Sequence, residues 1–360
     1  MPRRALAARA PAVAAPARAM LAGLLLAATL HGVPAGGRPR PATVPHASPS
    51  AGTVRNTLPA CVAPARAASL RYPLAVRVTV VHVGHGAVVV ADVCLDGAGP
   101  FPFLVDSGSS ISVVGTGLVD RFHLGAAGAP RRAAGFACSA RVVPVRVADW
   151  SLGGVALAPQ VVVAHSLPAL GVHEPLDGIV GSDVLSRFAA VRVDYVTSTL
   201  TLASHEGAPL RPGLVVGPAA GPDLALASRR VRADVGIDVE SHGGEVAAFA
   251  PVRLGSRPGL PFLVDTGAAT TAVAARLVGA DHLTRARGVE RVAGFGCSAT
   301  LHEALSGPWS LGTAPLTPEH VAILPAGGIA VDGLLGSDVF LQTGSVVVDY
   351  RAARLVLESG

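Results

Sequence analysis

No lysine occurs among the 360 residues, so every one of the 29 basic side chains is arginine. That skew reads as compositional bias and carries no functional signal. Several chemistries are missing as well. No Cys-x-x-Cys pair is present, so a zinc site of that kind is not expected. There is no Gly-x-Ser-x-Gly elbow to support a serine hydrolase. His302-Glu303 lacks the second histidine of a zinc-peptidase helix. His82, His85, His123 and His302 keep no ligand spacing, and they read as surface or loop residues. The apolar run Ala19–Leu30 is too short for a comfortable membrane span.

What is present begins with that short run. Arg3, Arg4, Arg9 and Arg18 precede it without any acid, and Val33-Pro34-Ala35 follows. A basic segment, a short apolar segment and small residues predict an export signal over 1–35, cleaved after Ala35. Leu58-Pro59-Ala60-Cys61 faintly resembles a lipoprotein box but has no apolar run before it. The chain carries +5; without the four leader arginines, 25 basic residues face 24 acidic ones. A nearly neutral protein gives no reason to expect a nucleic-acid partner. Cys61, Cys94, Cys138 and Cys297 all lie beyond the cut, and an even count in an exported chain permits two disulfides.

Val-rich runs broken by 42 glycines and 29 prolines predict β structure. They are also duplicated. Phe103-Leu104-Val105-Asp106-Ser107-Gly108 returns 159 residues later as Phe262-Leu263-Val264-Asp265-Thr266-Gly267. Ala134-Gly135-Phe136-x-Cys138-Ser139-Ala140 and Trp150-Ser151-Leu152-Gly153 return at the same offset. Asp177-Gly178-Ile179-Val180-Gly181-Ser182-Asp183-Val184 returns as Asp332-Gly333-Leu334-Leu335-Gly336-Ser337-Asp338-Val339, now 155 residues on, as does Asp194-Tyr195 in Asp349-Tyr350. Two copies mean two lobes, not a solenoid. The expected organisation is a leader (1–35), a Pro/Ala-rich linker or pro-segment (36–73), a lobe (74–202), a linker (203–228) and a second lobe (229–360). Within each copy a helix is expected near Val113–Phe122 and Ala272–Val278. Further strands are expected over Ala140–Val147 and Gln160–Ala164. Ser182-Asp183 and Ser337-Asp338 have the chemistry of helix N-caps. Asp183 and Asp338 read as caps or inter-lobe pairing groups, Asp194 and Asp349 as strand-closing residues, and Trp150 and Trp309 as anchors.

Asp-Ser/Thr-Gly after an apolar strand, then an apolar-apolar-Gly segment about 70 residues later, resembles the pepsin and retropepsin aspartic peptidases. The resemblance covers nearly all of 75–355. It implies an all-β, bilobal acid-protease fold, two pseudo-twofold-related β-barrel-like lobes with a short helix in each. It implies catalysis by Asp106 and Asp265, with Ser107, Gly108, Ser109, Thr266 and Gly267 supporting the pair. Ile179, Val180, Gly181, Leu334, Leu335 and Gly336 would form the apolar-Gly segments. The chemistry has its own rationale: hydrolysis needs a base for water and an acid for the carbonyl oxygen, and two adjacent carboxyls sharing one proton supply both. Lobe one has Ser109 where lobe two has Ala268. A hydroxyl on the first carboxylate would favour its charge, leaving Asp265 to hold the proton.

By position in the family, Gly135, Phe136, Cys138, Gly294, Phe295 and Cys297 match flap tips, hairpins that fold over substrate. That would bring Cys138 near Cys297, where a disulfide would tie the flaps and restrict entry, with Cys61–Cys94 as the other pair. The flap tyrosine of pepsin-like enzymes has no counterpart, since the three tyrosines are Tyr72, Tyr195 and Tyr350. Lobe two's Ala268 also follows the retropepsin pattern. The expectation is a secreted or cell-surface monomeric endopeptidase acting on peptides or proteins. It would need neither metal nor cofactor and keep no membrane span after leader cleavage. The alternative is a catalytically silent peptide-binding or scaffold protein of the same fold.

Overall fold

The computed structural model describes residues 70–360 apart from 168–174, 213–228, 280–282, 296, 318 and 326–328. It also describes Cys61 and the two-residue strands Leu26–Ala27 and Ala65–Arg66. The expected leader, the linker up to residue 69 and most of the inter-lobe linker otherwise lie outside the described residues. The chain is almost entirely β. An 11-stranded sheet carries the strands from Thr79 to Val180 together with Ala65–Arg66, and a second carries those from Asp238 to Leu335 with Leu26–Ala27. The order of strands in the second repeats that of the first, so the sequence duplication is a duplication of lobes.

A third sheet joins them. Its six strands run in the order 230–236, 354–359, 345–349, 190–194, 199–203 and 74–77. The pseudo-twofold passes between the two central strands, where Arg192 faces Val347 and Val193 faces Val346. Each lobe contributes three strands, two of them hairpin partners after its Gly-rich segment. All five residues of Ala190–Asp194 and of Thr199–Ala203 are buried, the charged Arg192 and Asp194 among them, each in an ion pair, with Glu358 and Arg229.

Local expectations meet three corrections. Val113–Gly115 and Ala272–Ala274 are strands, not helix, because their β-branched and small residues sit between two sheet neighbours. Within these two stretches helix is confined to Thr116–Arg121 in lobe one and to a 3-10 turn, Ala275–Leu277, in lobe two. The helices Ser182–Leu185 and Ser337–Thr343 are preceded by Gly181 and Gly336 at the N-cap, and no side chain caps either. Asp183 and Asp338 bond within their own lobes, so they are not inter-lobe pairing groups. Trp150 and Trp309 are buried anchors, each indole N–H donating to a carbonyl eight residues on, of Ala158 (3.0 Å) and Thr317 (2.8 Å). Disulfides join Cys61 to Cys94 and Cys138 to Cys297. Among the described residues no helix is long and apolar enough to cross a membrane.

Candidate active site

The strands Ala98–Val105 and Leu260–Val264 each run parallel to the short Gly-rich strand that follows in sequence, Gly178–Val180 and Gly333–Leu335. Where each leaves the sheet, the next residue is the aspartate. Asp106 N–H still donates to Val180 O (3.0 Å) and Asp265 N–H to Leu335 O (3.1 Å), so both are fixed at the end of a buried ladder. The turn then closes on the side chain. Asp106 Oδ1 accepts the N–H of Gly108 (2.9 Å) and Ser109 (3.0 Å); Asp265 Oδ1 accepts those of Gly267 (3.0 Å) and Ala268 (2.9 Å). Such local bonds are why aspartate and glycine suit this turn.

Four further bonds cross between lobes. Ser107 Oγ donates to Val264 O (2.8 Å) and accepts Thr266 N–H (3.1 Å). Thr266 Oγ1 donates to Val105 O (2.9 Å) and accepts Ser107 N–H (3.0 Å). This reciprocal set presses the two turns together, so a Cβ at Gly108 would stand 2.2 Å from Asp265 Cγ. One at Gly267 would stand 2.4 Å from Asp106 Cγ. Only glycine allows that approach. Both aspartates are fully buried, at 0 % exposure. Burial first, and then the adjacent Asp106 carboxyl, push Asp265 well above the ordinary carboxylate range. A protonated carboxyl beside an ionised one can donate and accept protons in one step.

The expected role of Ser109 is not what the structure shows. Its hydroxyl donates to Ile111 O (2.8 Å), and Asp106 takes only its backbone N–H. Ala268 offers its N–H in the same way, so this difference between lobes does not polarise the pair.

Sequence reasoning missed a second ring of support. Gly181 N–H donates to Ser112 Oγ (2.9 Å), which donates to Asp183 (2.7 Å). In lobe two Gly336 N–H donates to Thr271 Oγ1 (2.9 Å), which donates to Asp338 (2.6 Å). The signal was available, because Ser112 and Thr271 are hydroxyl residues at the common 159 offset. Asp183 and Asp338 are both pushed up to about 6, chiefly by burial, and Glu290 to about 7. A carboxyl raised in the folded state contributes stability below its unfolded pKa and loses it as pH rises through the folded one. The unfolding temperature is therefore expected to be higher near pH 5 than near pH 8, read by scanning calorimetry. A midpoint that climbs with pH over this range would contradict the direction.

Two hairpins, one from each lobe, meet at their tips. Arg131–Ala134 pairs with Ser139–Val147, and Thr284–Gly294 with Cys297–Leu305. Their tips hold the six expected flap residues, and Cys138 is bonded to Cys297 across them. Among the described residues no group of three or more His, Cys, Asp or Glu could hold a metal ion. The family model for aspartyl protease matches residues 91–184, which contain Asp106 and the Gly181 segment, so the chain is similar to that family over this stretch. No curated protein matches the chain.

Proposed function

We propose that the protein is an aspartic endopeptidase in which Asp106 and Asp265 activate a water between them for attack on a peptide carbonyl. The single observation behind this reading is the reciprocal lock of Ser107 and Thr266, which holds two buried carboxyls against each other's glycine turn. The ionised member takes a proton from water while the protonated one, favoured at Asp265, hydrogen-bonds the carbonyl oxygen as charge develops there. Ser107, Gly108, Ser109, Thr266 and Gly267 position the pair through backbone and hydroxyl contacts. The Gly181 and Gly336 segments hold the loops from behind. The hairpins at 131–147 and 284–305 serve as flaps over an extended peptide. Lobes at 74–202 and 229–360, export after residue 35 and action as a monomer outside the cytoplasm complete the proposal, and two disulfides are consistent with that compartment.

The test is cleavage of a random-sequence peptide library by the purified protein, with the Cys138–Cys297 bridge intact and with it reduced, between about pH 3 and 7, followed by mass spectrometry. Turnover is expected on the acid side, falling when both carboxyls of the pair are protonated and again when both are ionised. The complete burial of both aspartates favours a second reading, a silent peptide-binding scaffold. Folded protein that binds library peptides without cutting them at any pH, its hairpins released, would establish that reading instead.

A further inference from the structure

The two hairpins cross. Phe136, from the lobe-one tip, is fully buried and packs with Phe249, Leu263, Ala272, Val292 and Leu334, all lobe-two residues. Phe295, from the lobe-two tip, is 1 % exposed and packs with Val88, Leu104, Ile111, Val113 and Ile179 of lobe one. Its ring also lies 4.5 Å from that of His165. At the crossing the backbones touch, since a Cβ at Gly135 would stand 2.8 Å from Phe295 O. Each tip thus places an aromatic plug in the apolar wall of the opposite lobe, around the strands that end at Asp106 and Asp265. The Cys138–Cys297 bridge ties the two plugs, and unlike them it is only half-buried. The base of the first hairpin is held separately, by Arg131 to Glu245 (2.7 Å) of lobe two.

We propose that this bridge is a redox latch: oxidised, it holds Phe136 and Phe295 crossed and closes the site; reduced, it lets both tips withdraw and admits substrate. The inference rests on the endopeptidase reading for its consequence, though not for its geometry. The reductant is a dithiol. One of its thiolates attacks a bridge sulfur and breaks the S–S bond, and its second thiol resolves the mixed disulfide. Cys138 and Cys297 together gain two electrons and two protons, and the dithiol leaves as a disulfide. With the covalent tie intact, each plug can leave only if the other moves with it. Without the tie they leave independently, so the open fraction rises.

The experiment compares oxidised protein, protein treated with dithiothreitol, and a Cys138→Ser/Cys297→Ser double variant. The variant separates this bridge from Cys61–Cys94, which dithiothreitol also reaches. If the variant does not fold, alkylation and mass spectrometry of the treated parent identify which cysteines opened. Two readouts are taken: hydrogen exchange over 131–147 and 284–305, and cleavage of a cysteine-free peptide library. Loss of the bridge is expected to speed exchange in both hairpins and to raise cleavage about tenfold or more, since rate follows the competent fraction. Unchanged exchange on losing the bridge overturns the latch. So does faster exchange when the oxidised parent already cleaves as fast as the variant. Faster exchange with no cleavage in any form upholds the latch as a device and removes the endopeptidase reading.

Discussion

Replacing Asp265 by asparagine is expected to lower kcat/KM by about 10³-fold or more, the scale on which positioned acid–base groups act. Asparagine keeps the shape and an Oδ1 acceptor, so the N–H bonds from Gly267 (3.0 Å) and Ala268 (2.9 Å) can persist. The four inter-lobe bonds of Ser107 and Thr266 do not involve the carboxyl at all. What the substitution removes is the titratable carboxyl of Asp265, which burial and the adjacent Asp106 push well above the ordinary carboxylate range. A pair sharing one proton works as a unit, so Asp106→Asn should cost about as much, and the double variant little more than either. The unfolding midpoint should change little or rise, because one buried carboxyl in a crowded acidic site is gone. The measurement is steady-state cleavage by the two single variants beside the parent, all in the bridge-reduced form. An Asp265→Asn protein that cleaves at the parent rate would move the chemistry away from this pair.

The duplication made the architecture readable. An offset of 159 residues, then 155, implied two lobes of one design, and the strand orders repeat accordingly. It also pointed to Asp106 and Asp265, since a symmetric molecule brings equivalent residues to its axis. What stayed hidden depends on contacts that no local pattern encodes. Val113–Gly115 carries helix-compatible neighbours, yet its place between the strands Gln160–His165 and Gly178–Val180 makes it a strand. Ser182 has the chemistry of a cap but donates to Ser107 O (2.7 Å) and meets the Tyr350 hydroxyl (3.0 Å), both supplied by tertiary packing. The Ser109 hydroxyl was expected on the Asp106 carboxylate and donates to Ile111 O instead. The Gly-Phe-x-Cys repeat was legible in both copies. That each phenylalanine lodges in the other lobe was not, because a swap and a non-swap share one sequence.

The pseudo-twofold also supplies its own control for the largest stability effect expected here. Arg192, on 190–194, reaches across the strand 345–349 to Glu358, with Nε at 3.0 Å from Oε2 and an Nη2 bond of 3.2 Å to Oε1. Ser345 Oγ adds a contact to Oε2 at 3.3 Å. Both charged side chains are essentially unexposed, at 1 % and 0 %. At the 155 offset the same positions are Val347 and Ala203, which form a small apolar cluster with Ala190, Leu210 and Val356. One half of the sheet therefore solves with an ion pair what the other solves with apolar packing. Glu358→Ala strands the arginine in that interior and is expected to cost about 3–5 kcal/mol, the usual penalty for breaking a buried pair from one side. Arg192→Val with Glu358→Ala copies the sister site and should recover most of that loss, because an apolar replacement of a buried pair is often neutral or better. Urea midpoints of the parent, the single and the double variant decide it. A harmless Glu358→Ala would mean the pair contributes nothing, and a double variant as weak as the single would place the cost in lost packing, not in the stranded charge.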